Sequence, residues 1–197
     1  ITSPFRSFDL NHGTKPTLSY AEQFRMIRTN VQFSSADRQL KTLLFTSADP
    51  SEGKSTISSN VAVTWADQGN KVLLIDSDLR RPTVARSFRV SNSQGLTTIL
   101  TAKQANLSES IHETEVPNLY VLPSGPVPPN PSELLNSSKM DQLLKVLKEQ
   151  FDIIILDVPP VNKVTDAQIL ASKVDGVILV VPQGIALKGA VLRARDL

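Results

Sequence analysis

The 197-residue sequence contains no cysteine, which removes disulfide scaffolds, thiol chemistry and cysteine-bound zinc from consideration. Histidine is scarce too: His12 and His112 stand far apart, which argues against a His-rich metal centre. No apolar run approaches the ~20 residues that span a bilayer. The longest, such as VILVV at 177–181, are far shorter. No charged-then-apolar leader opens the sequence, so secretion is not expected. A strong net charge is also missing: 21 basic against 19 acidic residues leave +2, too balanced to point to nucleic acid. Acids are nevertheless absent from Leu79 to Ser108, a stretch that holds Arg80, Arg81, Arg86, Arg89 and Lys103. That imbalance reads either as a solvated basic surface or as a patch for phosphate or an acidic partner.

What is present suffices for one packed domain, with 40% of residues apolar. Short β-branched runs recur at 42–47, 71–77, 118–124, 152–157 and 176–181. They are continuous rather than alternating, as expected of strands covered on both faces. Helix-like segments at 54–68, 138–150 and about 165–173 separate several of them. The order predicts an α/β fold, a doubly wound and mostly parallel sheet whose ligands bind at the carboxyl ends of the strands. Residues 1–17 read as a loop-like segment and 18–197 as the domain proper. Phe5 and Phe8 in that leading segment suit packing on the core better than docking. Residues 19–33 read as an amphipathic helix with Phe24, Ile27 and Val31 on one stripe. The proline-rich 122–135 reads as a loop entering a helix, with Ser132 as N-cap and Glu133 in its first turn.

The strand at 42–47 runs into Ala48-Asp49-Pro50-Ser51-Glu52-Gly53-Lys54-Ser55-Thr56 and then a helix. Strand, loop ending in Gly-Lys-Ser-Thr, and helix is the context of a P-loop, the nucleotide-binding Walker A element. Helix-terminal N–H groups lack intrahelical partners and so suit phosphate. Lys54 would reach the β- and γ-phosphates, and the Ser55 hydroxyl would serve Mg²⁺. Ala48 replaces the usual first glycine, which is tolerable if its φ is negative. Two further strands end in acid: Asp76 and Asp78 after one, Asp157 after the other. Residues i and i+2 of an extended segment share a side, so Asp76 and Asp78 can both face the phosphates. Paired carboxylates beside Mg²⁺ suit metal binding and general-base work on an attacking hydroxyl.

Together, Ala48-x4-Gly53-Lys54-Ser55-Thr56, Ile75-Asp76-Ser77-Asp78-Leu79-Arg80 and Ile153-Ile-Ile-Leu-Asp157 resemble Walker A, A′ and B of the bacterial tyrosine kinases (BY-kinases). Glu22-x2-Arg25-x2-Arg28 resembles that family's oligomerisation motif, and residues 128–135 and Thr165-Asp166-Ala167 resemble further landmarks. The likeness runs from about Ser19 to Val181. It implies an ATP- and Mg²⁺-dependent protein-tyrosine kinase that regulates capsule and exopolysaccharide synthesis. Residues 49–56 would hold the nucleotide, with Ser55, Asp76 and Asp157 around the metal. Asp76 would be the base, with Asp78 placing metal or phosphate; the order of these two stays open. Arg80 and Arg81 become candidates for phosphate or an adjacent subunit.

The family also implies a homo-oligomeric ring, a separate transmembrane activator, tyrosine-bearing substrates, no nucleic acid, and a cytoplasmic place beneath the membrane. Ser19 and Glu22 equally fit a capping box, which explains Glu22 without any partner. From spacing alone the ring and capping readings stand level, and the resemblance favours the ring. The family's C-terminal tyrosine cluster has no counterpart, since the tyrosines are Tyr20 and Tyr120. Autophosphorylation at such a tail is therefore not expected, which leaves tyrosines of other polypeptides as acceptors. Rival readings are a ParA/MinD-like ATPase switch, whose signature lysine is replaced here by Asp49, and an inert nucleotide-dependent assembly subunit.

Overall fold

The computed structural model describes residues 19–34, 40–103 and 106–197. The expectations for 1–17, Phe5 and Phe8 included, lie outside the described residues. Among those residues, helix α1 (Tyr20–Phe33) leads into strand β1 (Thr42–Ser47), helix α2 (Lys54–Ala66) and strand β2 (Val72–Asp76). Three short helices follow, α3 (Val84–Phe88), α4 (Leu96–Thr101) and α5 (Leu107–Ser110), then strands β3 (His112–Glu113) and β4 (Leu119–Leu122). Helices α6 (Pro131–Asn136) and α7 (Ser138–Gln150) precede β5 (Ile153–Asp157), α8 (Asp166–Ala171), β6 (Gly176–Val180) and α9 (Lys188–Asp196).

The strands form one sheet in the order β3-β4-β2-β5-β1-β6, parallel except for the antiparallel edge pair β3–β4. Side chains alternate between two cores, as the period of two demands. Leu43, Phe45, Val72, Leu74, Ile153 and Ile155 pack with α2 and its buried Trp65. Leu44, Leu73, Ile75, Ile154 and Leu156 pack on the other face against residues of α4, α7 and α8. Burial on both faces is why the strand sequences show no polar alternation. The exception is β6, which pairs with β1 alone and leaves Val177 half exposed. The expectation of full cover fails there because it is an edge strand, with Ile178 and Val180 turned to the α2 side.

Local chemistry sets the element ends. Ser137 caps α7 by accepting the Met140 N–H, with Asp141 in its first turn and Lys148 in its last. The N-cap of α6 is Asn130, not Ser132, because Pro131 takes the first helical position, where its missing N–H costs nothing. Helix α1 lies on α2 through Phe24, Ile27 and Val31, and the Arg28 guanidinium donates to the Thr64 carbonyl at 2.8 Å. None of the described helices is long and apolar enough to cross a membrane.

Candidate active site

The carboxyl ends of β1, β2 and β5 meet, because both β1 and β2 pair with β5. The loop leaving β1 is braced from within. The Ser47 hydroxyl donates to the Asp49 carbonyl at 2.8 Å, and the Asp49 N–H donates to the Glu52 carboxylate at 2.9 Å. Ser51 (φ 64°) and Gly53 (φ 82°) are left-handed, which curls the chain so that successive amides converge. A methyl on Gly53 would meet nothing within 4 Å, so the need for glycine there is conformational rather than steric. Ala48 is fully buried and is not among the positive-φ residues, so its methyl is housed without strain. Gly53 N-caps α2 with no side-chain cap, and the Ser51 and Gly53 N–H groups donate to no described residue. A helix start with free amides and no capping side chain is an anion site in waiting.

One turn on, two side chains converge on Asp157. The Lys54 ammonium donates to Oδ1 at 2.9 Å and the Ser55 hydroxyl to Oδ2 at 2.6 Å. The Ser58 hydroxyl adds a third contact at 3.3 Å. Lys54 also lies 3.9 Å from Asp78. Thr56 and Pro50 are exposed on the rim, and Lys163 reaches Asp49 at 3.4 Å across it. Lys163 sits in the loop after β5, and no sequence signal announces it.

Asp76 is the register partner of Asp157 and is equally buried, but its surroundings differ. Its Oδ2 accepts the Thr83 and Val84 N–H groups at 2.9 Å each, anchoring the start of α3. Its Oδ1 is buried without a partner among the described residues. Burial pushes this carboxyl up to about 7, only partly offset by the two backbone hydrogen bonds, with Asp157 and Asp78 adding repulsion. Asp78 is also raised, chiefly by burial, although the Arg81 and Arg80 N–H groups and nearby Lys54 oppose it. Asp78 thus faces Lys54, while Asp76 lies close enough to Asp157 and Asp78 to be repelled by both.

Arg80 is turned away from the cluster. Its guanidinium bonds both oxygens of the fully buried Asp166, at 2.9 and 3.2 Å, and lies 3.1 Å from the Ser132 hydroxyl. Ser132 in turn donates to Asp166 at 2.6 Å. The A′ loop is thereby tied to α6 and α8, and this is where Ser132 acts instead of as a cap. Asp166 was legible in the sequence only as part of Thr165-Asp166-Ala167.

The fit to a metal is specific. No group of three or more His, Cys, Asp or Glu among the described residues could hold an ion. Mg²⁺ keeps several waters and takes one or two carboxylates plus phosphate oxygens. Ser55 and Asp157, already 2.6 Å apart, offer hard oxygens for that arrangement. A cavity of about 410 Å³ beside Tyr120 and Phe151 lies at the start of β4 and β5, the wrong end of the sheet for this chemistry.

Of the three α1 residues expected to share an open face, Glu22 and Arg25 are exposed and Arg28 is buried. Glu22 completes a capping box with Ser19. Arg28 lies four residues past Phe24 and three before Val31, on the flank of the apolar stripe, and that spacing explains its burial.

A family model for an AAA domain matches residues 40–194. Tyrosine-protein kinase YwqD of Bacillus subtilis is 45% identical over 183 residues, 93% of this chain and 77% of that protein. Putative tyrosine-protein kinase CapB of Staphylococcus aureus is 44% identical, over 93% of this chain and 80% of its own length. The crystal structure of the chimerical protein CapA2B2 superimposes with a TM-score of 0.87 at 38% identity, covering 92% of this chain and 80% of that one. The Mg-ADP complex of the septum site-determining protein MinD from Pyrococcus horikoshii is more distant. Its TM-score is 0.63 at 27% identity, over 80% of this chain and 66% of that one.

Proposed function

The chain belongs to the bacterial tyrosine-protein kinases built on an AAA domain, and from that premise we propose that it transfers the γ-phosphoryl group of ATP, with Mg²⁺, to protein tyrosines in the control of capsular or extracellular polysaccharide synthesis. The observation that carries this reading is the contrast around Lys54: one aspartate is saturated by the lysine and Ser55, and another keeps an open oxygen.

In this reading the amides of 51–55 and the Lys54 ammonium hold the β- and γ-phosphates. When bound, Mg²⁺ neutralises charge on the phosphate oxygens. Ser55 and Asp157 are the residues that would hold it, with Asp76 facing the same space. Nucleotide entry exchanges the Lys54–Asp157 contact for Lys54–phosphate contacts. Asp76 takes the proton of the acceptor tyrosine through Oδ1, while Oδ2 stays fixed to the start of α3. The tyrosine oxygen bonds to the γ-phosphorus, the bond from that phosphorus to the β-bridging oxygen breaks, and ADP leaves. A base that titrates near neutrality is suited to this transfer. Asp78 steadies the A′ loop through the Arg80 and Arg81 amides and faces Lys54.

We also assign exposed Glu22 and Arg25 to contacts between subunits of a homo-oligomeric ring, with Arg28 seating α1 for that purpose. A separate transmembrane activator would hold the protein at the inner face of the membrane. The likeness to MinD keeps an ATPase switch as the second reading, disfavoured because Asp49 occupies the position of that group's signature lysine.

The test is transfer of labelled γ-phosphate to a tyrosine-cluster peptide by this chain and by Lys54→Met. Label on tyrosine that falls at least about a hundredfold in the variant supports the kinase. Lys54-dependent release of free phosphate without labelled tyrosine supports the switch instead.

A further inference from the structure

The acid-free stretch noted in the sequence becomes a surface beside the carboxylates. Arg80 is neutralised by Asp166, whereas Arg81, Arg86, Arg89 and Lys103 are exposed and form no ion pair with any described residue. Three hydrogen bonds fix where this surface begins. The Arg81 N–H donates to Asp78 at 2.9 Å, and Asp76 holds the Thr83 and Val84 amides at the head of α3. Arg86 and Arg89 follow on α3 and at its C-cap. At ~1.5 Å per helical residue, they stand roughly 5–9 Å beyond Thr83.

The surface is also held in place. The Val90 N–H closes α3 on the Ala85 carbonyl at 3.0 Å. Asn92 exchanges two hydrogen bonds with Gly125, at 3.2 and 2.9 Å. Gly95 lies so close to the end of β4 that an added Cβ would meet the Pro123 carbonyl oxygen at 2.2 Å. The arginines therefore ride on a segment pinned at Asp76 at one end and to the 123–125 turn at the other.

Resting on the kinase reading above, we infer that Arg81, Arg86 and Arg89 form the docking surface for acidic residues that flank the acceptor tyrosine in a substrate polypeptide. A tyrosine hydroxyl delivered to Asp76 places its own backbone over the head of α3. An extended peptide advances ~3.3 Å per residue, so side chains two to four positions from the tyrosine reach Arg86 and Arg89. Acidic side chains there find unpaired guanidiniums. Without those arginines, they would be repelled by Asp76, Asp78 and Asp157. Basic patches also attract anionic lipid, but a membrane seated on this face would cover the site that the tyrosine must enter.

The experiment compares wild type with Arg86→Glu/Arg89→Glu on three peptides that carry one tyrosine flanked by Glu, by Gln or by Lys. Wild type is expected to show a KM roughly tenfold lower for the Glu peptide than for the Gln peptide, the sum of a few exposed pairs. The gap should close in high salt. The double variant should keep its kcat on the Gln peptide and prefer the Lys peptide, a gain that misfolding cannot produce. Equal, salt-insensitive KM values in wild type with transfer intact overturn the inference and leave the kinase reading standing. Transfer to none of the three peptides, with Lys54-dependent phosphate release, overturns both. Unchanged peptide preference in the double variant, with lost sedimentation on phosphatidylserine vesicles, assigns the patch to a membrane and overturns the inference.

Discussion

Asp157 and Asp76 end neighbouring strands in direct register and are both fully buried, yet they sit in opposite electrostatic regimes. Asp157 has Lys54 at 2.9 Å and two hydroxyls, so its charge is matched where it lies. Asp76 has only two backbone amides and two neighbouring carboxylates, and its titration moves up to about 7. Equal burial therefore does not mean equal surroundings, because the fold brings a cation to one carboxyl and only amides and carboxylates to the other. The matched aspartate suits metal and phosphate handling, and the unmatched one suits proton transfer.

The same substitution at the two positions should have opposite effects on stability. Asp157→Asn leaves buried Lys54 with only the longer 3.9 Å contact to Asp78 and should cost about 3 kcal/mol, seen as an early midpoint in urea unfolding. Asp76→Asn removes an uncompensated charge while its amide oxygen can still accept the Thr83 and Val84 N–H groups. At pH 8 it should stabilise the nucleotide-free protein by on the order of 2 kcal/mol. The sign follows from linkage. The folded carboxyl binds its proton more tightly than the unfolded one, so stability from this group falls as pH rises from about 4 to 7 and the penalty is full above that. Tyrosine transfer by Asp76→Asn should nevertheless drop ~10²–10⁴-fold.

A second contrast sharpens the first: Arg80 is spent on Asp166 and Ser132, outside the cluster. Arg80→Lys cannot reproduce the two-pronged contact. It should lower kcat about tenfold with little change in nucleotide affinity, because the A′ carboxylates lose their bracing while the P-loop is untouched. The smallest expected effect is on α1. Arg28→Met should cost ~1 kcal/mol through the lost Thr64 contact, whereas Arg25→Ala should leave the melting temperature unchanged and alter association seen by sedimentation.

The legible parts of this molecule were those with a strong local pattern. The continuous apolar strands, Gly53-Lys54-Ser55 and the three strand-end aspartates could all be read from residue type and spacing, since each obeys a rule that acts over a few residues. Helices α3, α4 and α5 run only four to six residues, too short for a helical period to show. Two-residue β3 exists only because β4 offers it an edge. Ser132 looked like a cap because its true partner, Asp166, lies 34 residues away. Arg28 looked like a surface residue because charge suggested exposure, whereas its spacing from Phe24 and Val31 placed it beside the buried stripe. The unequal surroundings of Asp76 and Asp157 also depend on Lys54, which only the fold brings into contact with Asp157.

The central claim is that Asp76, buried with one carboxylate oxygen unpartnered, changes charge near neutrality. Titration of ¹³C-labelled aspartate carboxyls by NMR in the nucleotide-free protein tests it most directly, with Asp76→Asn assigning the resonance. The account predicts a carboxyl with its midpoint at about 7 that disappears in the variant. An Asp76 midpoint below about 5, close to an ordinary carboxylate, would contradict it.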